Sequence, residues 1–91
     1  MDYSTDLLKR ISELAEQLTP APEIAVLLDI DEVTFLDDII TTGHEARRAY
    51  LKGFAKTANE IRKRNLDLAA AGSPAADEAL RSYLRRMMTE L

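Results

Sequence analysis

The feature that most constrains this chain is the scarcity of residues that break a helix. In 91 residues only Gly43, Gly53, Gly72, Pro20, Pro22 and Pro74 carry that role. Between them apolar residues return at spacings of three and four, which places them on one face of a helix. Leu7, Ile11, Leu14 and Leu18 predict a first helix, with Ser4 or Thr5 as its cap and Asp6 at the positive end of its dipole. Thr19-Pro20-Ala21-Pro22 ends it, because each proline pushes its predecessor out of helical geometry. Pro22 to Ile40 then reads as two short helices about a turn at Asp29-Ile30-Asp31. Pro22 suits a first helical position, and Asp31 suits the cap of a helix from Glu32 to about Thr41. Ile24-Ala25-Val26-Leu27-Leu28 also admits a strand, but no second strand lies nearby to pair with it.

The longest helical stretch runs from about Glu45 to Ala71, with Tyr50, Phe54, Ala58, Ile61, Asn65 and Leu68 on one side and Leu51 and Ala69 widening it. Gly72 fits a left-handed helix end, Ser73 a cap and Pro74 the first turn of a last helix, about Pro74 to Glu90. That helix carries Ala76, Ala79, Leu80, Tyr83, Leu84 and Met87 on one face. So short a turn folds the last two helices back on each other. The expected fold class is all-α: an N-terminal helix, a helix-turn-helix-like pair, then a long antiparallel helical hairpin. The expected division is 1–43 for the first parts and 44–91 for the hairpin.

Composition adds bounds. Of the 42 apolar residues 13 are Ala, leaving 29 larger side chains for a core. A chain of this length buries only roughly 60–65% of its unfolded surface, so self-association is expected. Without Cys there is no disulfide, thiolate metal site or thiol catalysis, and one His builds no histidine cluster. Asp29/Asp31 and Asp37/Asp38 lack the Gly and terminal Glu of a calcium loop. No nucleophile–base–orienter set or Gly-rich phosphate loop assembles, so a non-enzymatic protein with neither metal nor cofactor is expected. His44 reads as a capping or exposed residue, and Met87-Met88 as hairpin core or subunit contact. The apolar runs are too short to span a membrane and the first residues do not resemble a signal peptide, so a cytoplasmic location without membrane contact is expected.

The net charge of −4 conceals a split. Residues 1–43 hold ten acids and two bases, whereas residues 44–91 hold ten bases and six acids. The segment from Ile24 to Leu36 fits helix-turn-helix spacing. Ala25 supplies the small crossing residue, Ile24, Leu28, Ile30 and Phe35 the apolar anchors, and Asp29 the left-handed turn. Yet the outer face of its second helix would be Asp31, Glu32, Val33, Leu36, Asp37 and Ile40, without a cation to meet phosphates. The cations lie on the long helix: Arg47, Arg48, Lys52, Lys56, Arg62 and Lys63 are the candidate DNA contacts. The same stripe also fits a solvated face that pairs with the acids of residues 1–43, in one chain or between neighbours. A membrane surface suits it less, because no aromatic residue borders the basic side.

The order of these segments resembles the small terminase subunits of tailed bacteriophages. Pro22-Glu23-Ile24-Ala25 through Phe35 is followed by Ala49-Tyr50-Leu51-Lys52-Gly53, Glu60-Ile61-Arg62-Lys63 and Leu68-Ala69-Ala70-Ala71-Gly72-Ser73-Pro74-Ala75-Ala76. The resemblance covers roughly residues 20–90. It implies a non-enzymatic DNA-packaging factor that binds viral double-stranded DNA, assembles with itself into a ring and regulates a large ATPase–nuclease subunit. It also implies that Pro22 to Thr41 form the DNA-binding module. Oligomer contacts would then come from the hairpin, through Tyr50, Phe54, Ile61, Leu68, Leu80, Tyr83 and Met87. The acidic second helix departs from that pattern and moves the expected DNA contact to Arg47, Arg48, Lys52 and Lys56. The chain is also short after the hairpin for a separate tail. A different reading stays open: an all-α homo-oligomeric interaction module whose helix-turn-helix is structural and binds no DNA. A small transcriptional regulator would demand cations on the second helix, which are missing.

Overall fold

The computed structural model describes residues 1–72 and 74–90, apart from the side chains of Ala76, Met88 and Glu90. Among the described residues there are five helices and no strand: α1 (Thr5–Glu16), α2 (Ala21–Leu27), α3 (Glu32–Ile40), α4 (Glu45–Ala70) and α5 (Pro74–Glu90). The fold class is all-α, as the spacing predicts. The expected cap at Ser73 and the expected packing of Ala76 and Met88 lie outside the described residues. No described helix is long and apolar enough to cross a membrane.

The first three helices start and stop through identifiable local chemistry. Ser4 caps α1 by accepting from the Leu7 amide at 3.0 Å. Asp31 caps α3, its Oδ2 accepting from the Thr34 amide at 3.0 Å and the Thr34 hydroxyl at 2.8 Å. Those two bonds hold the Asp31 carboxyl below the usual carboxylate range. The ends of α1 and α2 share a second device. Leu18 and Asp29 both take left-handed backbone, at φ 62° and 55°. The amides of Leu18 and Thr19 bond the carbonyls of Ala15 and Leu14, and those of Asp29 and Ile30 bond the carbonyls of Val26 and Ala25. Each set is a Schellman closure, normally made with glycine at the left-handed position. Asp29 does what its place in the turn predicts. Leu18 corrects the sequence reading: it lies past the end of α1 and is exposed, while Ala15 takes the buried place on that helix. The carbonyls at the end of α3 are met by side chains, Thr41 Oγ1 to Asp37 at 2.7 Å and Arg47 Nη1 to Ile39 at 2.9 Å.

The chain divides into two compact units, Met1–Thr57 and Ala58–Leu91, with the boundary inside α4. In the first unit Phe35, Ile11 and Ile24 are the largest fully buried side chains. Ala15, Ala25, Ile30, Ile39, Ala46 and Tyr3 complete the core, with Leu7, Leu14, Leu28 and Tyr50 packed against it. Each large side chain so buried contributes roughly 1.5–3 kcal/mol over an exposed one. Ala25 is fully buried, and Ile24, Ile30 and Phe35 all enter the core, as the anchor spacing predicts.

Gly53 sets the approach of α4 to α1. A Cβ there would overlap the Ser12 carbonyl and lie 3.0 Å from the Glu16 amide nitrogen. Beside this crossing Thr57 Oγ1 donates to the Glu16 carbonyl, and Lys56 Nζ lies 3.1 Å from Glu16 Oε1. In the second unit the half-buried positions on α4 are Ala58, Arg62, Asn65 and Ala69, spaced four, three and four. Two of them meet α5 at Tyr83, whose hydroxyl accepts from Asn65 Nδ2 at 3.0 Å and whose ring centroid lies 6.0 Å from Arg62 Cζ. Asn65 and Tyr83 lie on the faces that spacing predicts, Arg62 lies off that face, and Ile61 and Leu68, expected on it, are exposed.

Candidate nucleic-acid interface

Residues 11–46 contain no Lys or Arg, so beyond Lys9 and Arg10 on α1 the cations of the first unit begin where α4 begins. His44 precedes that helix. Its Nδ1 accepts from the Ala46 amide at 3.0 Å, which leaves the ring proton on Nε2, 3.5 Å from Asp38 Oδ1. Asp38 Oδ2 accepts from the Tyr3 hydroxyl at 2.7 Å, and the Tyr3 and His44 rings meet edge to face at 5.6 Å. Burial first, then this hydrogen bond and the charges of Asp38 and Glu45, hold the Tyr3 hydroxyl well above the usual tyrosine range. Tyr3, near the start of the chain, is thus tied to the end of α3 and to the residue before α4. The capping role of His44 is legible in the sequence. Tyr3 is not, because nothing local links it to a carboxylate 35 residues away.

Above this anchor Arg47, Arg48 and Lys52 gather with Gly43, His44 and Leu51 around an open groove of about 580 Å³. The spacing of one and then four residues brings the three cations to one end of the helix. They differ in what else they do. Arg47 is half-buried and already bonds the end of α3, which fixes its guanidinium at the groove wall. Arg48 and Lys52 are exposed. Lys56, one turn further, is exposed and paired with Glu16. Glu16 therefore offsets part of its attraction for an anion, in a surface pair worth at most about 1 kcal/mol.

In the second unit Arg62 and Lys63 part company. Lys63 is exposed, whereas Arg62 is half-buried with its guanidinium over the Tyr83 ring. A cation over an aromatic face contributes roughly 0.5–2 kcal/mol to packing. Of the residues expected at an oligomer contact, Phe54, Ile61, Leu68 and Met87 are exposed. Leu80 and Tyr83 are half-buried, and Tyr50 packs against the core of its own chain.

The surface of α3 carries the opposite chemistry. Asp31, Glu32, Val33, Asp37 and Ile40 are exposed and Leu36 is half-buried. Among the described residues no group of three His, Asp or Glu is arranged to hold a metal ion. Comparison with family models, with curated proteins and with solved structures gives no match for this chain.

Proposed function

We propose that this chain is a non-enzymatic DNA-packaging factor of the small-terminase type, self-assembling, associated with double-stranded DNA and regulating a large ATPase–nuclease subunit. One observation carries the DNA part of this reading. Arg47, Arg48 and Lys52 line a common groove at the start of α4, while the exposed face of α3 holds acids and apolar residues. Such a surface suits contact with backbone phosphates, which needs cations and no base-edge chemistry. DNA is thus held by α4, and α3 reads no sequence. The order of segments from Pro22 to Ala76 supports the packaging role, and the exposed apolar residues Phe54, Ile61 and Leu68 support assembly.

The test is DNA retention across a salt series, read beside native mass. Arg48→Glu with Lys52→Glu lowers retention and flattens the dependence of log affinity on log salt by roughly two, about 0.9 for each phosphate no longer neutralised. An unchanged slope rejects the groove as the contact surface. A native mass that stays monomeric at micromolar concentration rejects the packaging assembly.

A second reading has its own observation. The unbroken acidity of residues 11–46 beside exposed Val26, Val33 and Ile40 favours an all-α homo-oligomeric interaction module without DNA. It predicts a discrete assembly whose mass and salt response ignore added DNA.

A further inference from the structure

The exposed face of α2 is a concave apolar strip with acidic edges. Pro22, Glu23, Val26 and Leu27, with Glu32 from the start of α3, line a groove of about 340 Å³. Val26 is 71% exposed and Leu27 60%, which is high for two adjacent branched side chains on an ordered helix. Their exposure follows from geometry: Ile24, Ala25 and Leu28 take the core side of this short helix, leaving 22, 23, 26 and 27 on the other. The groove's own lining holds Glu23 and Glu32 and no cation; Arg10 of α1 lies on the far side of Leu27, with Glu13 beside it.

The chain carries a counterpart. On α5 Arg81, Arg85 and Arg86 follow Asp77 and Glu78, and Arg81 and Arg85 share a shallow pocket with those two acids. On α5 Leu84 is 51% exposed and Met87 65%. Arg81 and Arg85 flank Leu84 at i−3 and i+1, both exposed, Arg81 also reaching Asp77 at 3.3 Å. Tyr83 engages α4; Arg81, Leu84 and Arg85 lie about 100° or more around the helix from it, and Met87, one turn after Tyr83, is exposed at the edge of that seam.

We infer that the α2 groove is the seat for α5 of a second copy of this chain, Leu84 and Met87 entering between Val26 and Leu27 while Arg81 and Arg85 face Glu23 and Glu32. A helix laid in a groove uses apolar anchors for affinity and rim charge for register. The two surfaces differ, so the contact is heterologous: every copy offers one groove and one helix, and the chain of contacts closes into a ring or extends as a filament. The inference rests on the self-association in the proposed function but not on DNA binding, since Arg47, Arg48 and Lys52 take no part.

Complementary charge reversal tests it in the full chain. Glu23→Lys with Glu32→Lys forms one protein, Arg81→Glu with Arg85→Glu the other, all at exposed positions. Circular dichroism confirms that each is folded. Each alone assembles at least tenfold more weakly than the parent by native mass spectrometry. An equimolar mixture restores assembly with the two proteins alternating, because each reversed groove now meets a reversed helix. Reversals that leave the parent mass unchanged overturn this contact and leave self-association standing. A parent that is monomeric at every concentration overturns both. Failure of the mixture to restore assembly also overturns it, including when all four changes in one chain do restore it, which would mean docking within a chain. Because the chain has no Cys, Leu27→Cys mixed with Leu84→Cys gives a second measurement. Oxidation yields the mixed disulfide dimer in excess over either homodimer; a statistical mixture counts against the seat.

Discussion

The two compact units solve the problem of size in opposite ways. Met1–Thr57 closes a core in which Phe35, Ile11 and Ile24 reach no solvent, and fixes it with caps, two Schellman closures and the Tyr3–Asp38–His44 network. In Ala58–Leu91 none of the side chains described is fully buried. Within it Arg62 and Asn65 meet Tyr83, while Ile61, Leu66, Leu68, Leu84 and Met87 stay exposed. The first unit encloses a core and still leaves Val26, Leu27, Val33 and Ile40 on its surface. The second encloses no large apolar side chain among those described, which is what a surface for another chain requires and what an isolated domain avoids.

Substitutions can break that contrast. The largest effect is expected from Phe35→Ala, which empties the centre of the first core and costs about 3–5 kcal/mol. Leu84→Ala, half in solvent already, costs within about 0.5 kcal/mol in the dissociated chain. Equal losses in denaturant titrations of the dissociated chain would erase the distinction between the units. Gly53→Ala comes next. In an exposed helix interior this change gains about 1 kcal/mol of helix propensity. Against the backbone of α1 it must instead push two helices apart, and a net loss of about 1–3 kcal/mol is expected. A rise in midpoint would show that α1 does not cross α4 there.

Leu18→Gly should move the other way. Left-handed backbone costs a leucine about 1–2 kcal/mol, and glycine returns part of this as unfolded-state entropy, so a net gain of roughly 0.5–1 kcal/mol is expected. No gain in urea midpoint would mean that Leu18 makes contacts worth its strain. The smallest effect is a pH dependence confined to the first unit. The Tyr3 hydroxyl is raised in the folded chain above its ordinary value of 10.0. Above pH 10 the unfolded chain loses this proton while the folded one keeps it, so stability present below pH 10 declines as pH rises. Tyr3→Phe removes that part of the alkaline decline, seen as a flatter midpoint against pH between 9 and 11; an unaltered slope would assign it to other groups.

What could be read in the sequence was whatever depends on neighbours a few residues apart. Asp31 as a cap, Asp29 as a left-handed turn and Gly72 as a left-handed helix end, at φ 93°, follow from the local chemistry of those residue types. Ile24, Ala25, Ile30 and Phe35 follow from spacing. In the second unit Asn65 and Tyr83 meet on the faces that spacing predicts, while Ile61 and Leu68 of the same face stay exposed and Arg62 joins from off it, because periodicity ranks faces by apolarity alone. The basic stripe was legible as a stripe. That Arg47 is held by the Ile39 carbonyl, Lys56 by Glu16 and Arg62 over Tyr83 depends on long-range contacts that no spacing encodes. The exposed pair Arg48 and Lys52 emerges only once those commitments are known.

The crossing at Gly53 also works as a ruler. Sliding α4 along α1 by one turn in either direction would bring Ala49 or Thr57 to the crossing, and each carries the Cβ that the backbone of Ser12 excludes. A single glycine therefore fixes where along the first unit Arg48 and Lys52 emerge. Side chains around it can change size while the axial position of the basic groove holds.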